Sequence, residues 1–545
     1  MKTRFFSFQP ILTPNQLTLA AATYIALVLN IPFYIHVLSA VRENSDFNGL
    51  FLLSVPLVLM GLTTVFYAVF SVRWVFKPVI IFTVLLSTLM CYATHYYGII
   101  FDRGMLQNGL ETDTAEAFSY VNLNAIAFML VVGLLPSMWI ARTKLICKPV
   151  VSELFARFRL IATASTITFV LAAIFYVNYA SVGRNHRELT AYLIPFKLYE
   201  ASFKYVRDQI QEPEDAEHFT LLDPSPSLNS SNNKKLTILI VGETARAQNF
   251  SLNGYAKDTN RFTQAQQVVS FDHASSCGTA TALSLPCMFS RLDREHYDKH
   301  QARTQQNVLD IAQAAGIDIE WIDNNNGGCK GVCDRVNATF IRPDTPSPLC
   351  DGEYCLDEIL LQELDNRLGS VDDKHLIALH LMGSHGPTYY RRYPADHKRF
   401  TPDCPRSDIQ NCDQASLINT YDNTIAYTDY VISEVIKRLD TFTVQTGIET
   451  SLLYVSDHGE SLGENGMYLH GFPYAFAPKE QTSVPMLFWS NADQFDRTCV
   501  KQQIHKNISH DDLFDTLLGM LGVQTKVYDA HHDIFATCST QPALT

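Results

Sequence analysis

LTILIVG, residues 236–242, is an unbroken run in which only Thr237 carries a polar side chain, and Glu243 follows it directly. A run this short and this apolar reads as a strand buried on both faces, as in a sheet covered on each side by helices. Four further runs repeat the pattern: IDIEWID (317–323), HLIALHL (375–381), SLLYVSD (451–457) and VPMLFWS (484–490). Longer helical stretches separate them, so the predicted class of residues 236–545 is α/β. In such sheets, sites form where strands end at their carboxyl edge. There is no internal repeat.

Upstream the character changes. Segments 15–40, 49–72, 78–101, 117–141 and 160–183 contain no Asp, Glu, Lys or Arg, and each is long enough to cross a bilayer, which takes about 20 apolar residues. The first is too long for a signal peptide, has no small-residue cleavage site and precedes four more spans. A five-helix transmembrane domain over 1–183 is therefore expected, which excludes a simple cytosolic enzyme. The large water-soluble remainder excludes a pure transporter. The formal charge of −13 argues against a nucleic-acid partner, which would require basic faces.

Basic residues set the orientation. Lys2, Arg4, Arg73, Lys77, Arg142, Lys144, Lys148, Arg157 and Arg159 fall on one side of the spans, and only Arg42 and Arg103 on the other. The richer side is cytoplasmic, so the N-terminus is inside and everything after 183 lies outside. Ten of the 12 cysteines follow residue 270, in the close couples Cys277/Cys287, Cys329/Cys333, Cys350/Cys355 and Cys404/Cys412, with Cys499 and Cys538 as a looser pair. An oxidising compartment makes these disulfides rather than zinc ribbons. Residues 184–210 mix Phe196, Tyr199, Phe203 and Tyr205 with Lys197, Lys204 and Arg207, which suits an interfacial helix. Residues 212–235, rich in Pro, Ser, Asn and charge, read as a linker. The expected domains are thus 1–183, an interfacial helix and linker over 184–235, and a catalytic domain over 236–545.

Chemistry gathers at the strand ends. Glu243 directly follows the first strand and Asp457–His458 end the fourth, a donor set of carboxylate oxygens and imidazole nitrogen that suits zinc. His385, in MGSHGP, and His470, in YLHGFP, add imidazoles. A nucleophile is expected within SSCGTATALSLPCMFS (275–290), a loop of small residues bracketed by Cys277 and Cys287. Thr279, Thr281 and Ser284 are the choices, and each hydroxyl would need a metal or base to act.

Taken together, five N-terminal spans, GETAR (242–246), CGTATALSLPC (277–287), MGSHGP (382–387) and SDHGESLGE (456–464) resemble the lipid A phosphoethanolamine transferases, which include the mobile colistin resistance proteins. The resemblance implies a periplasmic α/β/α domain of alkaline-phosphatase/sulfatase-like type in a multi-pass protein of the bacterial inner membrane. It places the nucleophile at Thr281, sharing one firmly bound zinc with Glu243, Asp457 and His458. His385 and His470 would lie beside the phosphoryl group or hold a second zinc, and Lys330 would lie near the bound phosphoethanolamine. Asn108, Thr112 and Glu116, in a QNxxETDxxE pattern before the fourth span, would bind the donor lipid. The implied reaction moves phosphoethanolamine from phosphatidylethanolamine to a lipid A phosphate through a covalent threonine intermediate. It lowers envelope negative charge and so gives polymyxin resistance, with the protein acting as a monomer. Alternatives are a related transferase acting on a core sugar or periplasmic glucan, a phosphoglycerol transferase, and an inactive membrane sensor. A sulfatase would need C/S-x-P-x-R, which is absent.

Overall fold

The structure is a computed structural model that describes residues 9–43, 48–72, 74–111, 120–215, 219–229, 234–371 and 373–540. The chain divides into two units, 1–106 with 121–204, and 107–120 with 205–545.

Among the described residues of the first unit, four helices are long and apolar enough to span a bilayer: Gly49–Val69, Phe76–Tyr97, Leu123–Arg142 and Val150–Ile174. The first expected span, 15–40, is not one rod but two helices, Pro14–Leu27 and Ile31–Arg42, bent by 51°. Pro32 in the second piece has no N–H to donate back across the break. The buried Asn30 amide meets the freed backbone instead, donating to Ile25 O (2.9 Å) and Ile194 O (2.7 Å) and accepting from Ile194 N (3.0 Å). The last span also differs from its expected bounds of 160–183. It starts at Val150 and ends at Ile174, and a separate helix runs from Tyr176 to Asn185. Apolarity marks the hydrocarbon zone, whereas a helix continues past it wherever charged side chains can reach water or backbone; here Arg157 donates to Ser71 O.

The stretch expected at the interface forms a 3₁₀ turn, Arg187–Tyr192, and a helix, Phe196–Asp215. Phe196 packs edge-on against Phe66 at 5.3 Å, and the Tyr199 hydroxyl meets that of Tyr67 at 3.1 Å, so this face of the helix is turned inward. The expected linker therefore begins inside a helix. It also contributes a short strand, Ser227–Leu228, paired antiparallel with Val523–Gln524.

The second unit is built on an eight-stranded sheet. Its strands in chain order are β1 (Lys235–Gly242), β2 (Val269–Ser275), β3 (Asp318–Asp323), β4 (Asn337–Phe340), β5 (Lys374–His380), β6 (Glu449–Ser456), β7 (Ser483–Ser490) and β8 (Ile508–Ser509). The spatial order is β8-β2-β7-β6-β1-β5-β3-β4. Only β7 runs antiparallel to its neighbours. All five apolar runs read from the sequence are strands of this sheet. Along β1 every residue is buried, because alternate side chains enter different cores. Leu239 and Val241 pack with Leu285, Met288, Leu309, Trp321 and Leu517 beneath helices Thr281–Met288, Val308–Ala314 and Leu513–Leu521. Opposite lies the 33-residue helix Gln414–Thr446, N-capped by Asp413 and closed by Gly447 in the left-handed region (φ 73°).

Five disulfides staple this unit: Cys277–Cys287, Cys329–Cys333, Cys350–Cys355, Cys404–Cys412 and Cys499–Cys538. The first encloses the loop expected to carry the nucleophile, whereas the last ties the C-terminal segment far from it in sequence. Removing Cys277 and Cys287 together is therefore expected to lower activity more than removing Cys499 and Cys538, compared at equal folded protein by circular dichroism.

Candidate active site

Because β1, β2, β3, β5 and β6 are parallel, their carboxyl ends emerge on one edge, and each delivers a group there. Glu243 follows β1 and Asp457–His458 follow β6. One oxygen of each carboxylate and one imidazole nitrogen lie within 4.8 Å of one another, all three residues being fully buried. His458 Nδ1 lies 2.9 Å from Gly459 O, to which it donates, so the Nε2 lone pair faces inward. There it sits 3.5 Å from Glu243 Oε1 and 3.5 Å from Asp457 Oδ2. Burial opposes charge on this ring, but Asp457 and Glu243 outweigh it and raise its pKa.

The loop after β2 brings in the hydroxyls. Thr281 opens helix Thr281–Met288, and its Oγ1 lies 3.3 and 3.1 Å from the two oxygens of Glu243 and 3.2 Å from His458 Nε2. The other two choices point elsewhere: Thr279 donates to Phe472 O at 2.5 Å, and Ser284 donates to Asp457 O.

Glu243 is held on several sides. Asn325, just beyond β3, donates to its Oε2 at 2.7 Å, and Thr244 donates to its Oε1. The loop after β5 closes the back, with Ser384 N donating to Glu243 O at 3.0 Å. At Gly383 (φ +52°) a Cβ would lie 2.6 Å from Glu243 O. Gly383→Ala combines left-handed strain with a backbone collision, so a loss of about 1–3 kcal/mol or more is expected, together with displaced Glu243 and weakened metal binding. Denaturant melts and metal titration check this.

Asp457 carries the clearest indication of a cation site. Its Oδ1 accepts from Thr244 N (3.1 Å) and His458 N (2.7 Å), but Oδ2 is buried with no hydrogen-bond donor. Two buried carboxylates, one with an orphaned oxygen facing an imidazole lone pair, fit a divalent cation of the zinc type.

His470 and His385 stand beside this centre. The His470 ring is 4.5 Å from that of His458 and 5.4 Å from that of His385. Burial pushes the pKa of both down to about 3, so both are neutral imidazoles. Behind His470, Glu460 Oε2 lies 3.4 Å from Nδ1, its carboxyl driven well above the usual range by burial. Lys330, in the left-handed region (φ 51°) and bracketed by Cys329–Cys333, sits in the loop that carries Asn325; a Cβ at Gly327 would meet Lys330 Nζ at 3.3 Å. The Asn108 side chain, Thr112 and Glu116 lie outside the described residues. Sequence reading missed Asn325 and Glu460, although Asn324–Asn326 directly follow a predicted strand and so carried the same strand-end signal.

Fold and site define a membrane-anchored enzyme with a sulfatase-type catalytic domain. The sulfatase family model matches residues 235–523, and a model for the phosphoethanolamine transferases EptA/EptB matches 59–210. Phosphoethanolamine transferase EptA of Escherichia coli K12 is 42% identical over 95% of this chain and 96% of its own. Phosphatidylethanolamine transferase Mcr-1 of Escherichia coli is 36% identical over 94% and 95%. The solved structure of lipooligosaccharide phosphoethanolamine transferase A from Neisseria meningitidis superimposes with a TM-score of 0.93 at 35% identity, covering 98% of this chain and all of that one. The chain belongs to the phosphoethanolamine transferase family, and it is an enzyme of that activity.

Proposed function

We propose that this enzyme transfers phosphoethanolamine from phosphatidylethanolamine to a phosphate of lipid A, with Thr281 as nucleophile and Glu243, Asp457, His458 and Thr281 as the zinc ligands. The observation that carries the reading is the Thr281 hydroxyl, 3.1–3.3 Å from both Glu243 and His458, beside an orphaned carboxylate oxygen. Zinc held there supplies the positive charge that lowers the hydroxyl pKa and offsets the phosphate charge.

In the first half-reaction Thr281 Oγ1 attacks phosphorus. The Oγ1–P bond forms, the bond from phosphorus to the diacylglycerol oxygen breaks, and diacylglycerol leaves with the proton that Thr281 gives up. Glu243 orients the hydroxyl for attack, and Asn325 and Thr244 keep Glu243 from rotating. His385 and His470, neutral and rigid, offer N–H donors to phosphoryl oxygens without adding repulsive or competing charge. Lys330 attracts the anionic group. In the second half-reaction an oxygen of a singly protonated lipid A phosphate displaces Oγ1: the new P–O–P bond forms, the Oγ1–P bond breaks, and the proton given up by the lipid A phosphate passes to Oγ1. The product carries an added ammonium, which weakens the field that draws cationic peptides such as polymyxin. Ten cysteines in disulfides and the basic bias of the cytoplasmic loops support a catalytic domain in the periplasm, anchored in the inner membrane.

Mass spectrometry of lipid A from cells with and without the protein tests the acceptor: a phosphoethanolamine increment on lipid A is expected, and its absence alongside modified core sugar or glucan would overturn the assignment. Donor recognition falls to Asn108, Thr112 and Glu116, whose spacing by four is one that a helix would gather on a single face. Glu116→Ala is expected to lower phosphatidylethanolamine turnover about 10-fold with zinc content unchanged, the cost of losing a carboxylate partner for the ethanolamine ammonium. A turnover assay in detergent checks it.

A further inference from the structure

His510, to which the sequence motifs assign nothing, is fully buried at the same sheet edge. It follows β8, whose Ile508 and Ser509 pair in parallel with Ala274 and Ser275 at the end of β2. The ring accepts from Cys277 N at Nδ1 (3.1 Å) and donates from Nε2 to Ser456 O (2.9 Å). Cys277 begins the loop that carries Thr281, and Ser456 immediately precedes Asp457 and His458. β7 separates β2 from β6, so no backbone ladder can tie these two strand ends to each other. The ring does so instead, reaching across the intervening strand. Ser284, whose Oγ lies 3.3 Å from His510 Nδ1, belongs to the same tie, accepting from Gly278 N at 3.3 Å while donating to Asp457 O.

We propose that His510 is a positioning residue for phosphoethanolamine transfer: its ring, protonated on Nε2 only, clamps the loop that delivers Thr281 to the strand end that delivers Asp457 and His458. The inference rests on the reading of Thr281 as nucleophile. A proton on Nδ1 would point at the Cys277 N–H, so only the neutral Nε2–H tautomer makes both bonds. Without the ring, a buried N–H and a buried carbonyl lose their partners, and the loop must shift to find others. Thr281 Oγ1 is within 3.3 Å of its neighbours, and displacement by about 1 Å costs on the order of 100-fold in rate.

The test uses the full-length protein in detergent with His510→Phe, His510→Asn and His510→Gln. Single-turnover formation of the phosphoethanolamine adduct from phosphatidylethanolamine is measured without acceptor, together with donor KM, bound zinc and the adduct position. His510→Phe, which keeps bulk but neither bond, is expected to slow adduct formation about 10–100-fold with donor KM within about twofold and zinc unchanged. Asn retains an acceptor near the Nδ1 position and Gln a donor near the Nε2 position, so each is expected to recover part of the rate. If His510→Phe does not fold, the Asn and Gln rates per zinc-loaded chain decide. Wild-type rates in those two variants, or losses that merely follow zinc content, overturn the proposal. An adduct on a residue other than Thr281 in the wild-type protein instead refutes the nucleophile reading on which it rests.

Discussion

Thr281→Ala is expected to lower transfer on the order of 10,000-fold or more, the scale for removing a covalent nucleophile, while bound zinc persists at close to one per chain. The persistence follows from the geometry: Glu243, Asp457 and His458 remain, and all three are positioned by groups other than Thr281. Neither of the other two hydroxyls of the loop can take over, because Thr279 is committed to Phe472 O and Ser284 to Asp457 O. Wild-type protein given donor without acceptor is expected to accumulate a phosphoethanolamine adduct on Thr281, detectable by peptide mass spectrometry. An adduct at Thr279 or Ser284 contradicts the assignment.

Asp457→Asn is expected to have the opposite profile, losing metal affinity by about 100-fold or more and activity with it. Losing an outer-shell partner already costs about 10–100-fold, and as a ligand Asp457 would contribute a buried oxygen that no hydrogen bond satisfies. The stability readout separates this from simple unfolding. With zinc bound, the variant melts below wild type, because less binding free energy is linked to folding. In chelator the order reverses: wild type then carries Glu243 and Asp457 as two buried carboxylates without a cation, and neutralising one of them removes that penalty. Paired melts with and without chelator measure the crossover. A variant that stays less stable in both conditions would mean that Asp457 is structural rather than a ligand.

Much of this architecture follows from local sequence. Five apolar runs of strand length determine five strands, and long charge-free segments determine membrane helices, since burial on both faces and immersion in lipid each leave a compositional mark within a single element. Strand-end position singled out Glu243, Asp457 and His458 for the same reason, because a parallel sheet delivers its carboxyl ends to one edge. Close couples of cysteine read as local disulfides for the same local reason. What spans the chain did not show. The bend at Asn30 depends on a carbonyl and an amide of Ile194, 164 residues away. The pairing of Cys499 with Cys538 depends on where the C-terminal segment returns. Which of the hydroxyls of Thr279, Thr281 and Ser284 faces Glu243 and His458 depends on contacts across 38 and 177 residues. Asn325, Glu460 and His510 escaped notice because their roles lie in contacts rather than in composition. Strand order and register bring such groups together, and these are set by non-local pairing, which single-element patterns do not encode.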